Sequence, residues 1–304
     1  MALSTTSNYA GKAAGFYISA ALRQSNSMEF LTMIENIKFK SNIQRMAASA
    51  MVQDATCNFD EAGSLALTEQ ILTPKNLQIN TDICKSTLLD SWEALQMRAG
   101  AGAPPPASFD DYVISYLGEI IADGTETSIW TGADVTAGQF EGFLTATTGA
   151  FAADGNVVAV ANAGGAGTAY TAANIIANLG AAVAAVPTAV YAKEDLYLYV
   201  SPKSWRLYMT AISALTNFPF ANMSEDYTKI FEGVKLAVCQ GMADDEIVAA
   251  QKSNLFFGTD LVSDATRINM MDMANLDGSD NIRVVARYSG GVQVGVGADV
   301  VLVS

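Results

Sequence analysis

Residues Ser108 to Gly132 read SFDDYVISYLGEIIADGTETSIWTG. Ser108 is a good N-cap, and Asp110 and Asp111 place negative charge over the unpaired N–H groups of a first helical turn. Tyr112, Val113, Tyr116, Leu117, Ile120 and Ile121 recur as neighbouring pairs every four positions, which makes one broad apolar face at helical period. Pro104, Pro105 and Pro106 stop anything continuous from entering, and Gly132 supplies an exit. A helix over 109–130 spans roughly 33 Å at 1.5 Å per residue. Gly118 and Gly124 weaken it, and Gly124 is a candidate break. A helix this long with one apolar face is a backbone for sheets to lie against, so it serves as the axis of the chain.

Outward from the helix, period-2 patterns take over. Upstream, SLALTEQIL alternates Leu65, Leu67, Glu69 and Ile71 against Thr68 and Gln70, turns at Thr73-Pro74, and continues as a second strand, KNLQINTDIC. Ser86 then caps a short helix, TLLDSWEALQMR. Residues 37–59 carry only weak patterning and read as an extended excursion or a long hairpin. Met28 to Ile34 suit a short amphipathic helix, while residues 1–27 are small and polar and need a partner to be ordered.

Downstream, residues 138–150 read as short helix and loop. VVAVA at 157–161 is a short strand, and TAANIIANLGAAVAAVP is a helix closed by Pro187. LYLYV at 196–200 is a buried strand, and Ser201-Pro202 opens the helix PKSWRLYMTAISAL with a cap and a first-turn proline. Residues 216–229 read as a loop. Strands follow in GVKLAVCQGM, EIVAAQ, NLFFGTDL, RINMMDM and IRVVARYSGGVQVGVGADVVLVS, with glycines expected at bulges or turns. The fold class is therefore α+β. A middle domain occupies about 150–265, and a second domain is built jointly from about 60–145 and the C-terminal strands.

Composition narrows the function. Of 304 residues only 16% are charged, against roughly 25% in soluble proteins generally, which suits a surface covered by neighbouring subunits. The net charge of −14 is uneven. Residues 1–45 carry five basic and two acidic side chains, and the remainder twelve basic and 29 acidic. An acidic body argues against a groove wrapping nucleic acid tightly, and a mildly basic start leaves room for a weak contact. The absence of histidine removes His-dependent nucleophile systems and imidazole zinc sites. Cys57, Cys84 and Cys239 are far apart and odd in number, so reduced, buried structural thiols are expected. The start lacks a signal-peptide pattern, and no 18-residue stretch has membrane-grade hydrophobicity.

Four motifs invite a functional reading and fail on spacing. GNVVAVANAGGAGTAYTAANIIANLG offers strand, glycines and helix, but Tyr170 stands where a dinucleotide loop needs its third glycine. Asp272, Asp277 and Asp280 lack the alternation and closing glutamate of a calcium loop. Asp244-Asp245-Glu246 reads as an acidic hairpin tip, and the Asn222-Met223-Ser224 pattern has no consequence without a signal peptide. No catalytic, cofactor-binding or metal-binding residue is assigned, and no cofactor is expected.

The order of elements resembles the major capsid proteins of tailed bacteriophages that share the HK97 fold. Three segments carry the resemblance. They are Ser64 to Leu95, similar to that family's strand pair with a Pro-Lys turn and following helix; the helix 109–130 closing in SIWTG, similar to its spine helix; and Gly233 to Leu261, where KSNLFFGTDL is the most specific phrase. The resemblance covers about 60–304. It implies an N-terminal arm over 1–36, an extended loop region over 37–62, a peripheral domain over 63–149 with the spine helix 109–130, an axial domain over 150–265, and C-terminal strands 266–304 returning to the peripheral domain.

The same resemblance implies a structural protein, not an enzyme: a subunit that self-associates into hexamers and pentamers of an icosahedral or prolate head. It implies assembly on a separate scaffolding protein, with portal and decoration proteins as partners, packaged double-stranded DNA touched weakly from the interior, and no membrane. Localisation would be the virion, and the host cytoplasm during assembly. Intersubunit contacts are expected from the arm, the 37–59 excursion, and the loop tips near Asn222 and Asp245. An encapsulin-like compartment shell is the alternative within the fold. A tail-tube or decoration protein and a small-molecule enzyme of α+β type are the alternatives outside it.

Overall fold

The computed structural model describes residues 26–49, 51–55, 57, 62–84, 107–165, 167–214, 229–260, 267–276 and 278–304. The helix expected after Ser86, most of the 216–229 loop, Asn222 and Asp277 lie outside them. Chain order begins with β1 (Thr32–Ile34), β2 (Ser41–Ser49), β3 (Ser64–Leu72), β4 (Lys75–Cys84), α1 (Ala107–Thr131), α2 (Ala150–Asp154) and β5 (Val158–Val160). It continues with α3 (Ile175–Ala185), α4 (Thr188–Tyr191), β6 (Leu196–Val200), α5 (Pro202–Ser213), β7 (Ile230–Phe231), β8 (Val234–Val238) and β9 (Ile247–Gln251). Strands β10 (Leu255–Gly258), β11 (Arg267–Asp272), β12 (Asn281–Val294) and β13 (Val301–Val303) complete it.

Helix α1 is unbroken through Gly124 and spans 25 residues. The expected weak point holds because the turn around it is tied and buried. The Ser128 hydroxyl donates to the Gly124 carbonyl at 2.7 Å, and Ile129 and Trp130 are fully buried. The helix ends at Thr131, and no residue larger than glycine fits at Gly132. A Cβ would lie 2.4 Å from the Phe140 carbonyl oxygen, as the chain turns back under the helix end.

Six strands form a mixed sheet in the order β5-β13-β9-β6-β8-β7. Its two faces bury different cores, which is why β9 is apolar at nearly every position and has no exposed one. Leu196, Leu198, Val200, Ile247 and Ala249 face α3 and α5, while Tyr199, Val248 and Ala250 face Trp130, Phe143 and Phe151. The second sheet is organised on the long strand β12. Strand β4 pairs along one side, and β11 and then β10 along the other, with β1 beyond β10. Leu117 of α1 packs there with Ile83, Ile282 and Val284. The helix thus lies on the second sheet at one end and under the six-stranded sheet at the other.

Several expectations change in the folded chain. Strands β3 and β4 flank the Thr73-Pro74 turn, yet they do not pair with each other. β3 pairs with β2 and β4 with β12, so the chain leaves one ribbon and enters another sheet at that turn. Residues 27–30 make one 3-10 turn, but the expected helix stops there because Thr32–Ile34 pairs parallel with β10. The glycines of β12 mark neither bulge nor turn, since pairing runs on through Gly290 and Gly291. They are small because a Cβ at Gly290 would stand 2.8 Å from the Phe140 ring, and one at Gly291 3.0 Å from Pro74 Cα. Finally, the proposed boundaries shift in pairing terms. β10, placed with the middle domain, joins β12, and β13, placed with the returning strands, closes the six-stranded sheet against β5 and β9. Side-chain period cannot tell which sheet a buried strand enters.

Candidate assembly surfaces

The β2–β3 ribbon is mostly exposed along both of its strands. Nine antiparallel pairs, from Ser41↔Leu72 to Ser49↔Ser64, make a two-stranded ladder about 30 Å long. Its two faces differ. One carries Ile43, Arg45, Gln70 and Leu72, and its base is anchored. Leu72 is fully buried against Gly258 and Ile37, and the Gln70 amide donates to the Asp154 carboxylate at 2.9 Å. The opposite face carries Met46, Leu65, Leu67 and Ile71, which are 66%, 56%, 63% and 45% exposed, with Gln44 and the bonded pair Asn42 and Glu69 set between Leu67 and Ile71. The alternation legible in SLALTEQIL is therefore real, but its apolar residues stay largely exposed and belong to none of the core clusters among the described residues. Just beyond β2, Met51 and Val52 are exposed as well, and Phe39 is exposed before it. An isolated two-stranded ribbon is marginal in water, and an apolar face of this kind marks an interaction surface.

The remaining predicted contact regions divide. Residues 1–25 of the arm and Asn222 lie outside the described residues, while residues 26–34 pack on their own chain. Asp245 is not a free tip. Its carboxylate accepts the Tyr170 N–H at 2.9 Å and stands 3.2 Å from the Lys203 ammonium, which also lies 3.9 Å from Asp244. Tyr170 takes the place of the missing third glycine as a buried side chain whose hydroxyl donates to the Val303 carbonyl at 3.0 Å. Burial, followed by Glu246 and Asp245, raises the pKa of that phenol. Burial likewise raises the carboxyl pKa of Glu246, and its Oε2 has no hydrogen-bond partner among the described residues. Gly165 and Gly167 sit at φ of 100° and 72° in the loop before Tyr170, which is a tied turn and not a phosphate cradle.

The other motifs resolve in the same way. The Asp272 side chain accepts the Ala274 N–H and caps a short turn. Among the described residues, no group of three or more His, Cys, Asp or Glu is arranged to hold a metal ion. None of the helices among them is long and apolar enough to cross a membrane. The thiols do not all match expectation, since Cys239 is buried but Cys57 and Cys84 are exposed. Cys84 ends β4 on its exposed alternation, where Ile83 takes the inward place.

The sequence missed one arrangement entirely. Glu126 is fully buried inside α1, and its carboxylate accepts the Ser27 hydroxyl at 2.5 Å, the Ser27 N–H at 3.2 Å and the Gly241 N–H at 3.1 Å. In a string of letters it reads as a solvent-facing helical glutamate, and only the fully buried Trp130 four residues on hints otherwise.

No family model matches the chain, and no curated protein matches it by sequence. Solved structures do. A chain of the capsid of a native GTA particle, solved with C5 symmetry, superposes with a TM-score of 0.66 at 13% identity, covering 98% of this chain and 94% of that one. A chain of Mycobacterium phage Ogopogo gives 0.62 at 14% identity, covering 95% and 94%. A chain of the capsid of the cyanophage P-SCSP1u gives 0.59 at 10% identity, covering 97% and 92%. The ribbon, the long helix and the two sheets thus form, over nearly the whole chain, the α+β fold found in capsid shells.

Proposed function

We propose that this chain is the major capsid protein of a tailed bacteriophage, a structural subunit that self-assembles into a closed head around double-stranded DNA. The observation that carries the reading is the β2–β3 ribbon, on which Met46, Leu65, Leu67 and Ile71 stand largely exposed on one face. A ribbon of this kind gains its cover, and backbone pairing for its free edges, from an adjacent copy. Repeated contacts between different patches of identical chains close into rings and shells. The low charge content and the fold shared with capsid chains fit the same reading.

In this reading residues 1–36 are the arm, and the extended loop is the ribbon of β2 and β3. The sheet on β12 with α1 is the peripheral domain, and the six-stranded sheet with α3 and α5 is the axial domain. The subunits form hexamers and pentamers, assemble on a separate scaffolding protein around a portal, and can receive decoration proteins. The basic N-terminal segment contributes a weak, salt-sensitive contact to the packaged DNA. The particle is the virion head, built in the host cytoplasm.

Electron microscopy and light scattering of the purified chain, alone and co-expressed with a scaffold, test this directly. Closed shells or sheets of hexamers are the expected result. Discrete particles of one to four chains under both conditions would remove the shell reading and favour a pocket-bearing enzyme. Shells enclosing protein cargo in place of nucleic acid would favour the encapsulin-like compartment.

A further inference from the structure

Strands β7 and β8 are joined by only two residues, Glu232 and Gly233, since Phe231 pairs with Val234 and Ile230 with Lys235. Both linking residues have positive φ, 46° at Glu232 and 83° at Gly233. That backbone is the tight hairpin turn that favours Asn-Gly or Gly-Gly, and a glutamate in its first place is strained. The turn is nonetheless fixed. The Tyr191 hydroxyl donates to the Glu232 carbonyl at 2.8 Å, the Phe231 ring meets Tyr208 edge-on at 5.9 Å, and Val234 is buried. What holds Glu232 is thus its backbone. Its side chain is exposed and enters no hydrogen bond or ion pair among the described residues.

The turn has charged neighbours. Strands β6 and β8 run parallel with Tyr197 opposite Lys235, so the residues leading into β6 reach the same end of the sheet. Tyr191, Lys193, Glu194, Gly233 and Lys235 line a cleft of about 240 Å³ there. Lys235 and Glu194 are exposed without a partner among the described residues, and Lys193 reaches only the neutral Gln251 side-chain oxygen, at 3.5 Å. Tyr191 and Ile230 add exposed apolar surface. An aromatic ring beside a cleft, ringed by charges of both signs, suits a polar contact between proteins. Copies of a chain with net charge −14 repel one another, so a place where they meet needs cations to offset the acids.

Resting on the shell reading above, we propose that the Glu232-Gly233 turn is a contact between copies of this chain. The tip of one copy meets the same end of the six-stranded sheet on a second copy, and the Glu232 carboxylate of one faces the Lys235 ammonium of the other. The strain at Glu232 then has a use outside its own chain. A fixed turn presents the carboxylate at a set point of the surface, where a flexible loop would first have to be ordered. Opposite charges at that point set the register of the contact and reject a shifted one. The contact uses no residue of the β2–β3 ribbon, so the two surfaces can be broken one at a time.

Chemical unfolding of the unassembled chain and light scattering of its assembly test this on the full-length protein. E232N suits the turn better, so it lowers the unfolding equilibrium constant by about 3-fold while raising the concentration needed for assembly by about 10-fold. A residue serving only its own fold would lose stability on the same change. E232K and K235E each fail to assemble at concentrations where the native chain does. Mixing the two in equal amounts restores assembly, because each supplies the charge that the other lacks. Native-like assembly of either charge reversal, no rescue in the mixture, or a less stable E232N would overturn the proposal and leave the shell reading in place. A native chain that stays in single copies with scaffold present would remove the shell reading, and this contact with it.

Discussion

Met46 and Leu67 stand directly opposite each other across the β2–β3 ladder, and both project from the ribbon into solvent, 66% and 63% exposed. A cross-strand pair of large apolar side chains is normally the inside of a sheet. Here the same pairing is the outside of a ribbon. Charging that face should leave the fold intact and abolish association. M46K and L67E together, an opposite-charge pair directly across the ladder, should change the thermal midpoint of the isolated chain little, since exposed positions shift stability by about 0.5 kcal/mol or less. Assembly followed by light scattering should be lost. A double variant that assembles at the native rate would show that the ribbon face is not an interface.

Gly290 lies where β12 passes under Phe140. A Cβ there would come 2.8 Å from the ring, so G290A forces either the ring or the strand to move. Overpacking of this sort costs about 1–3 kcal/mol. Chemical denaturation should show a lower midpoint with an unchanged slope. F140L placed behind G290A should restore part of the loss.

Glu246 has its pKa raised by burial, and its Oε2 lacks a partner among the described residues. An acid whose folded pKa lies above its unfolded value binds protons more tightly in the folded state. Its contribution to stability is therefore fully present below the unfolded value of 4.5 and declines as pH rises through the folded pKa. E246Q should raise the melting temperature at pH 7 relative to native and close that gap near pH 4. Equal gaps at the two pH values would show that the charge is not the cause.

Ser201 caps α5, where its hydroxyl oxygen accepts the Ser204 N–H at 3.1 Å and Pro202 occupies the first turn. S201A should cost about 1 kcal/mol, as loss of an N-cap typically does. S201D should not recover it, because the position is fully buried and its hydroxyl faces the Asp244 carbonyl, where a carboxylate would meet an acceptor. The unfolding midpoint measures both.

Much of this molecule was legible in the letters alone. The period of Tyr112 to Ile121, bounded by prolines and Gly132, determined a long helix, and it runs from Ala107 to Thr131. Ser201-Pro202 determined a helix start, LYLYV a buried strand and EIVAAQ a strand. These features are local, because capping and side-chain period act within a few residues. The tertiary structure decided the rest. Nothing in SLALTEQIL says that its apolar side faces away from its own core, because alternation fixes that two faces differ and not what covers them. Nothing in KNLQINTDIC says that it pairs with β12 across about 200 residues of chain, since backbone hydrogen bonding is the same with any partner strand. Glu126 reads as a surface charge until Ser27 and Gly241 arrive from opposite ends of the sequence to surround it. Which strand meets which, and which polar group is buried among donors, depend on long-range packing that no local pattern encodes.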